Sequence, residues 1–233
     1  MVRGAKGVAA GGVVHMEFAR EAVQLWPERG LYWPAASTLI VADLHWGKSE
    51  TFHAAGIPIP DGVLEHDLAR LSRMLEATGA LRLLVLGDLI HSGVGMTARM
   101  IDAVTVWRKR QPVRIELVPG NHDRHAERLP ESWGVKVLAP EVSEGPFRFR
   151  HDPEGALRAG VLCGHVHPMV RMGDLRLTCF VLGERVGLLP AFSLFTRGRT
   201  IHPERGDRVF GVTPERVVPM GRLERAGAET GVR

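Results

Sequence analysis

Four times in this chain an apolar run ends in a tight cluster of carboxylate, amide or imidazole side chains. Residues 39–42 lead into Asp43 and His45, and residues 83–86 lead into Asp88 and His91. Ile115, Leu117 and Val118 stop at Pro119-Gly120, which delivers Asn121, His122 and Asp123 in a row. Residues 161–163 lead into His165 and His167, and His151 closes the alternating run "FRFRH". Such polar groups are costly at the end of a core strand unless something pairs with them.

Singly, each cluster has an ordinary reading. Asp43-x-His45 reads as a turn or cap, Gly87-Asp88 as a turn, and Gly120-Asn121 as a hairpin dipeptide. His151 reads equally well as a surface residue of an edge strand. His165 and His167 are one residue apart, so on a strand they share a face, which suits a metal or two structural histidines. Together the clusters say more, because ligands of open α/β sheets bind at the carboxyl ends of the strands. If these strands are neighbours, Asp43, His45, Asp88, Asn121, His165 and His167 converge on one site of oxygen and nitrogen donors. His151 is the natural further member.

Two divalent metals about 3.5–4 Å apart need a carboxylate between them and separate ligands on each side. Imidazole with carboxylate suits manganese, iron or zinc better than magnesium or calcium. A metal pair lowers the pKa of a shared water and screens charge building on a phosphoryl group.

The elements that must position these groups are legible. Leu64, Leu68, Leu71 and Leu75 recur at helical spacing and Gly79 follows as a C-cap. Met100, Val104 and Trp107 repeat the pattern before Pro112. The first half therefore reads β-α-β-α-β, a mostly parallel sheet covered by helices. The run "HMEFAREAVQLWPERGLYWP" reads as strands or a hairpin. "FRFRH", "LRLTCFVLG" and "ERVGLLPAFS" read as strands of a second, more antiparallel sheet. The expected fold class is α/β, two mixed sheets packed face to face and flanked by helices, an αββα sandwich. No internal repeat or linker divides the chain, so a single domain over 13–221 is expected, with 1–12 and 222–233 as flexible termini.

Composition sets wider bounds. At 233 residues and 45% hydrophobic content, a sizeable core can form. No apolar run approaches the roughly 18 residues of a membrane span. The basic start "MVRGAKGVAAGG" lacks the apolar region of a secretory signal. Cys163 and Cys179 both sit in apolar runs and read as buried thiols, which makes the cytoplasm the default compartment. The net charge is +4, and residues 196–233 carry eight arginines against five acids. That excess fits either an ordinary basic surface or an anionic partner such as nucleic acid.

In order along the chain, Asp-x-His, Gly-Asp-x-x-His, Gly-Asn-His-Asp, a lone His and Gly-His-x-His resemble the calcineurin-like metallophosphoesterases. "ADLHWGK", "GIPIP", "LGDLIHS", "GHVHP" and "LPAFSLFTRG" resemble one subgroup, the bacterial ligase-associated DNA damage response endonucleases. The resemblance spans about residues 14–200. It implies that Asp43, His45 and His167 bind one metal, that Asn121, His151 and His165 bind a second, and that Asp88 bridges them. It implies two divalent ions, with Mn²⁺ first and iron or zinc behind it. It makes His122 the acid that protonates the leaving oxygen as a bridging hydroxide attacks phosphorus, with Asp123 holding the His122 ring. His91 falls where nuclease-type members also carry histidine, to touch phosphate or support the site. Lys48 reads as a phosphate contact or a solvated lysine, and Trp46 and Phe52 as base-stacking rings or plain wall. Arg197, Arg199, Arg205 and Arg208 are expected to grip DNA. The implied function is a DNA-repair nuclease, with a DNA ligase and a helicase as partners. The alternatives are a phosphatase or phosphodiesterase of small nucleotides, or a non-catalytic scaffold of a repair complex.

Overall fold

The apolar runs that precede the first three polar clusters form three neighbouring parallel strands of a computed structural model, β5 (Thr38–Val41), β6 (Arg82–Leu86) and β7 (Arg114–Val118). It describes residues 6–8, 11–124, 126–156 and 158–220. The first sheet runs in sequence order: β1 (Lys6–Val8), β2 (Val14–Phe18), β3 (Glu21–Leu25), β4 (Leu31–Trp33), β5 (Thr38–Val41), β6 (Arg82–Leu86), β7 (Arg114–Val118) and β8 (Val135–Val137). Pairing is antiparallel from β1 to β5 and parallel from β5 to β8. Helices α1 (Lys48–Ala54) and α2 (Val63–Thr78) connect β5 to β6, and α3 (Ala98–Lys109) connects β6 to β7. These are the expected β-α-β-α-β units, and the early run forms the expected hairpins.

The second sheet holds β9 (Glu141–Glu144), β10 (Phe147–Arg150), β11 (Val161–Cys163), β12 (Pro168–Met172), β13 (Leu175–Leu182), β14 (Val186–Leu188), β15 (Arg199–Thr200), β16 (Arg208–Val212) and β17 (Val217–Pro219). It is mixed: β11 lies parallel to both β10 and β14, whereas β13 is antiparallel to β12, β14 and β16. Two mixed sheets flanked by helices are the expected fold class.

Alternation along the strands explains the layers, since successive side chains point to opposite faces. Ile40, Leu84 and Leu86 face the second sheet and pack with Phe147, Phe149, Leu162, Phe180 and Phe210. Leu39, Val41, Leu83, Val85, Ile115 and Leu117 face the helices and pack with Leu64, Leu68, Leu71, Met74, Val104 and Trp107. Each such side chain, fully buried, contributes about 1.5–3 kcal/mol. The helix boundaries have local causes. Gly79 ends α2 in the left-handed conformation at φ 62°, and Thr97 caps α3 by accepting from the Met100 N–H at 3.2 Å. The core sits on both faces of β5 to β7, so their C-terminal ends are held rigidly at one edge.

Of the stretches expected to be flexible, residues 6–8 form β1, paired with β2. Residues 1–5, 9–10 and 221–233 lie outside the described residues. Among the described residues no helix is long and apolar enough to cross a membrane.

Candidate metal centre

The loops after β5, β6, β7 and β11 are stitched to one another by backbone and carboxylate hydrogen bonds. The Asp43 N–H donates to Gly87 O (3.1 Å), the His45 N–H to Asp88 O (2.8 Å) and the His91 N–H to Trp46 O (3.0 Å). Asp88 Oδ1 accepts from the His122 N–H at 2.9 Å, and Asp43 Oδ2 from the His165 N–H at 3.0 Å. The backbone is strained to achieve this. Asp43, His45, Asp88, His165 and His167 all have positive φ, between 47° and 65°. Asp and His tolerate that region better than most residues, yet at a cost that usually marks a functional site. Two glycines make room. A Cβ on Gly87 would lie 2.1 Å from the His151 ring, and one on Gly120 would lie 2.3 Å from Asp88 Oδ1.

Among the described residues three groups of donors result: His45, His91 and His122 form one, and the two that include a carboxylate are the candidates for metal positions. In the first of these two, Asp43, His45 and His167 approach closely enough for one ion. The Arg197 carbonyl lies 3.3 Å from His167 Nδ1. A carbonyl only accepts, so that nitrogen carries a proton and Nε2 is the atom turned to the centre. Nε2 lies 3.2 Å from Asp43 Oδ1. Burial alone would lower the His167 pKa, but Asp43 and the Arg197 carbonyl outweigh it and raise it. The pair thus competes for a cation, either a proton or a metal. His45 is 4% exposed, and among the described residues neither of its ring nitrogens has a hydrogen-bond partner. Burial, with Lys48 and three neighbouring histidines behind it, pushes the His45 pKa down to about 2, so the ring stays neutral. A neutral, buried, unpartnered imidazole is a ligand in waiting.

In the second group, Asp88, His151 and His165 close on one point and Asn121 joins them. His151 Nδ1 faces the Leu86 carbonyl at 3.0 Å, which turns its Nε2 toward the centre. Around Nε2 stand Asn121 Oδ1 at 3.1 Å, His165 Nδ1 at 3.0 Å and Asp88 Oδ2 at 3.5 Å. Two nitrogens and two oxygens thus gather at one point, an arrangement that a shared cation, proton or metal, holds together. Burial pushes the Asp88 carboxyl up, although His151 and His122 pull it down. Its Oδ2 also lies 3.9 Å from His45 Nε2, so this single oxygen looks toward both groups. The donor set fits a pair of divalent ions.

His122 stands beside this centre, exposed, with Nδ1 2.7 Å from the His91 carbonyl. Its ring stacks on His91 at 5.1 Å, and His91 in turn on Phe52 at 6.4 Å. The expectation that Asp123 holds this ring is corrected. The Asp123 carboxylate instead accepts from the backbone N–H groups of Gly120 (2.9 Å), Ile90 (3.2 Å) and Leu89 (3.4 Å). Neighbours in a tight turn point apart, so Asp123 faces inward and clamps two site loops while His122 faces out. Burial, with Lys48 and His122 behind it, lowers the His91 pKa to about 4. Lys48 donates to Thr196 Oγ1 at 3.3 Å, and its charge is felt by Asp43 and Asp88. Trp46 is 2% exposed and packs edge-on against Trp107 and Trp133, so it is wall and not a stacking surface. Arg197 and Arg199 both expose their side chains; it is the Arg197 carbonyl and the Arg199 N–H (3.0 Å to His167 O) that touch the centre.

Sequence reasoning missed the support behind the first group. Residues 191–193 lie along the end of β5, where the Phe192 N–H donates to Ala42 O (2.8 Å) and the Ser193 N–H to Asp43 O (3.3 Å). Arg70 holds this segment through Phe192 O (2.9 Å), and Arg29 through Ser193 O (3.0 Å). One signal was available: Asp67 and Arg70 sit three apart among the buried leucines of α2, and they form a buried ion pair at 2.9 Å.

A family model, calcineurin-like phosphoesterase, matches residues 36–167, a span that holds all seven donors from Asp43 to His167. The crystal structure of Pseudomonas putida nuclease MPE is 37% identical, covering 88% of this chain and 98% of that one with a TM-score of 0.78. A protein of unknown function, AQ665 from Aquifex aeolicus, is 18% identical over 56% of this chain and 78% of its own, with a TM-score of 0.39. Yfce, a phosphoesterase from E. coli, is 15% identical over 74% and 86%, with a TM-score of 0.38. Among curated proteins none matches the chain.

Proposed function

This chain belongs to the calcineurin-like phosphoesterase family, and from that premise we propose that it is a dinuclear metal-dependent phosphodiesterase acting as a nuclease on DNA. The observation that carries the reading is Asp88 Oδ2, set between an Asp43/His45/His167 group and an Asn121/His151/His165 group. The first group would hold one ion, the second the other, and Asp88 would join them. The mixed imidazole and carboxylate set suits manganese, with iron and zinc next. Bound ions of this kind supply a water of lowered pKa and neutralise charge gathering on phosphorus.

The chain's own residues do the rest. The Arg197 and Leu86 carbonyls each take the Nδ1 proton of His167 and His151 and so turn Nε2 of both rings inward. His122, held at Nδ1 by the His91 carbonyl and stacked on the His91 ring, presents Nε2 to the open side. There it holds a proton for the oxygen that leaves phosphorus. Retention of an exposed, braced His122 favours an enzyme over a scaffold, which needs no acid. The nuclease relative supports a nucleic-acid substrate. The repair setting, the ligase and helicase partners and the cytoplasmic location rest on the motif resemblance.

The experiment is a substrate panel with Mn²⁺: single- and double-stranded DNA, cyclic and linear small nucleotides, and nitrophenyl mono- and diesters. Cleavage of DNA and of the diester, with little monoester turnover, is the expected result. Good turnover of small nucleotides without DNA cleavage would replace the nuclease reading with a small-nucleotide phosphodiesterase.

A further inference from the structure

A cavity of about 260 Å³ has His167 in its wall, together with Arg29, Arg176, Thr178 and Thr196. Among the described residues no carboxylate lines it. Its cations are spent on neutral groups. Arg29 Nη1 donates to two carbonyls, Ala191 O (3.3 Å) and Ser193 O (3.0 Å), while the nearby carboxylate of Asp67 is taken by Arg70. Arg176 is exposed at the mouth, where Nη2 reaches Gly198 O at 3.4 Å. Thr196 Oγ1 faces Lys48 Nζ at 3.3 Å. Beside the apolar Met169, Leu177, Leu194 and Val212, two guanidinium groups and the Thr196 hydroxyl present donors to an occupant, and little there would repel an anion.

We propose that this cavity binds a second phosphate of the substrate, the neighbour of the one being cleaved. This rests on the reading of the chain as a phosphodiesterase and adds to it a place for the adjoining nucleotide. His167 belongs both to the cavity wall and to the first donor group, so a phosphate in the cavity lies next to one at the metal centre. The charge balance agrees with the geometry. Burial and the repulsion of Arg70 outweigh the attraction of Asp67 and lower the Arg29 pKa to about 10, the sign of a cation short of an anion. A polymer with regularly spaced phosphates places such an anion there without further design, whereas a lone small diester does not. The cavity would therefore set a preference for substrates carrying a phosphate on each side of a sugar.

The test uses the full chain loaded with Mn²⁺ and two pairs of substrates. One pair is thymidine 5′-(nitrophenyl phosphate) with and without a 3′-phosphate; the other is thymidine 3′-(nitrophenyl phosphate) with and without a 5′-phosphate. In one pair the added phosphate is expected to lower KM about ten-fold, the effect of one charge-assisted hydrogen bond. Arg176→Ala should bring that ratio close to one, and Arg176→Lys should restore part of it. Because each variant is judged by a ratio, general damage to the enzyme cancels. Equal KM values within both pairs, or a preference that survives both Arg176→Ala and Arg176→Glu, would overturn the proposal. A clear preference in an enzyme that cuts no DNA would sustain the cavity and refute the nuclease reading instead.

Discussion

Replacing Asp123 with Asn separates two accounts of this residue. As the partner of His122 it would matter for proton transfer; as the structure has it, the carboxylate is a clamp between the loops after β6 and β7. Its two oxygens accept three backbone N–H groups, from Gly120, Ile90 and Leu89, and the residue is 6% exposed. An amide keeps one acceptor and puts a donor where the other stood. At least one buried N–H then faces an NH2 group, at about 1–3 kcal/mol, and the remaining hydrogen bonds no longer have charge assistance. A total of about 2–4 kcal/mol follows, which for a chain of this size lowers Tm by about 5–15 °C. Scanning calorimetry of the metal-free proteins measures it. Rates on DNA and on a nitrophenyl diester should fall by similar factors, because the proton donor is untouched. An unchanged Tm, together with a rate defect confined to DNA, would refute the clamp and restore Asp123 to the acid.

His122→Ala should lose about 10²–10⁴-fold on substrates with a nucleoside leaving group and far less on a nitrophenyl diester, which departs unprotonated; equal losses in steady-state rates would remove the acid role. Gly87→Ala places a Cβ 2.1 Å from His151 at a φ of +76°. It should cost the second metal before the first, read as a drop from two to one Mn²⁺ bound per chain by elemental analysis. Changing Arg197 and Arg199 together to Ala should flatten the slope of log affinity for DNA against log salt by roughly one to two units, about 0.7–0.9 for each phosphate no longer neutralised. An unaltered slope in a fluorescence-anisotropy titration would make them ordinary surface charges.

The sheet beneath the site could be read in advance because its cause is local. Runs such as Leu83 to Leu86 are apolar on both faces, and only a strand covered on both sides buries them. The leucine spacing of α2 is equally direct. The second sheet was legible as strands but not as a pairing pattern, since the parallel placement of β11 between β10 and β14 depends on partners remote in sequence. The convergence of Asp43, Asp88, Asn121, His151, His165 and His167 followed from one rule about strand ends. What no spacing carries is direction. The left-handed backbone at Asp43, His45 and Asp88 is only permitted by their residue types and not dictated by them, and it decides where each side chain points. Asp123 shows the consequence, next to His122 in sequence and turned to a different task. Arg29 and Arg176 were invisible because they meet the site from β3–β4 and β13, outside every motif.

The central claim is that Asp88 joins two metal positions. Calorimetric titration of Mn²⁺ into the metal-free protein, for wild type and Asp88→Asn, tests it most directly. Asn keeps the shape of the side chain but removes the charge that faces both His45 and His151. Two ions per wild-type chain, and at least a ten-fold weaker affinity at both positions in the variant, are the results expected. One ion per wild-type chain, or two bound with undiminished affinity in Asp88→Asn, would contradict the account.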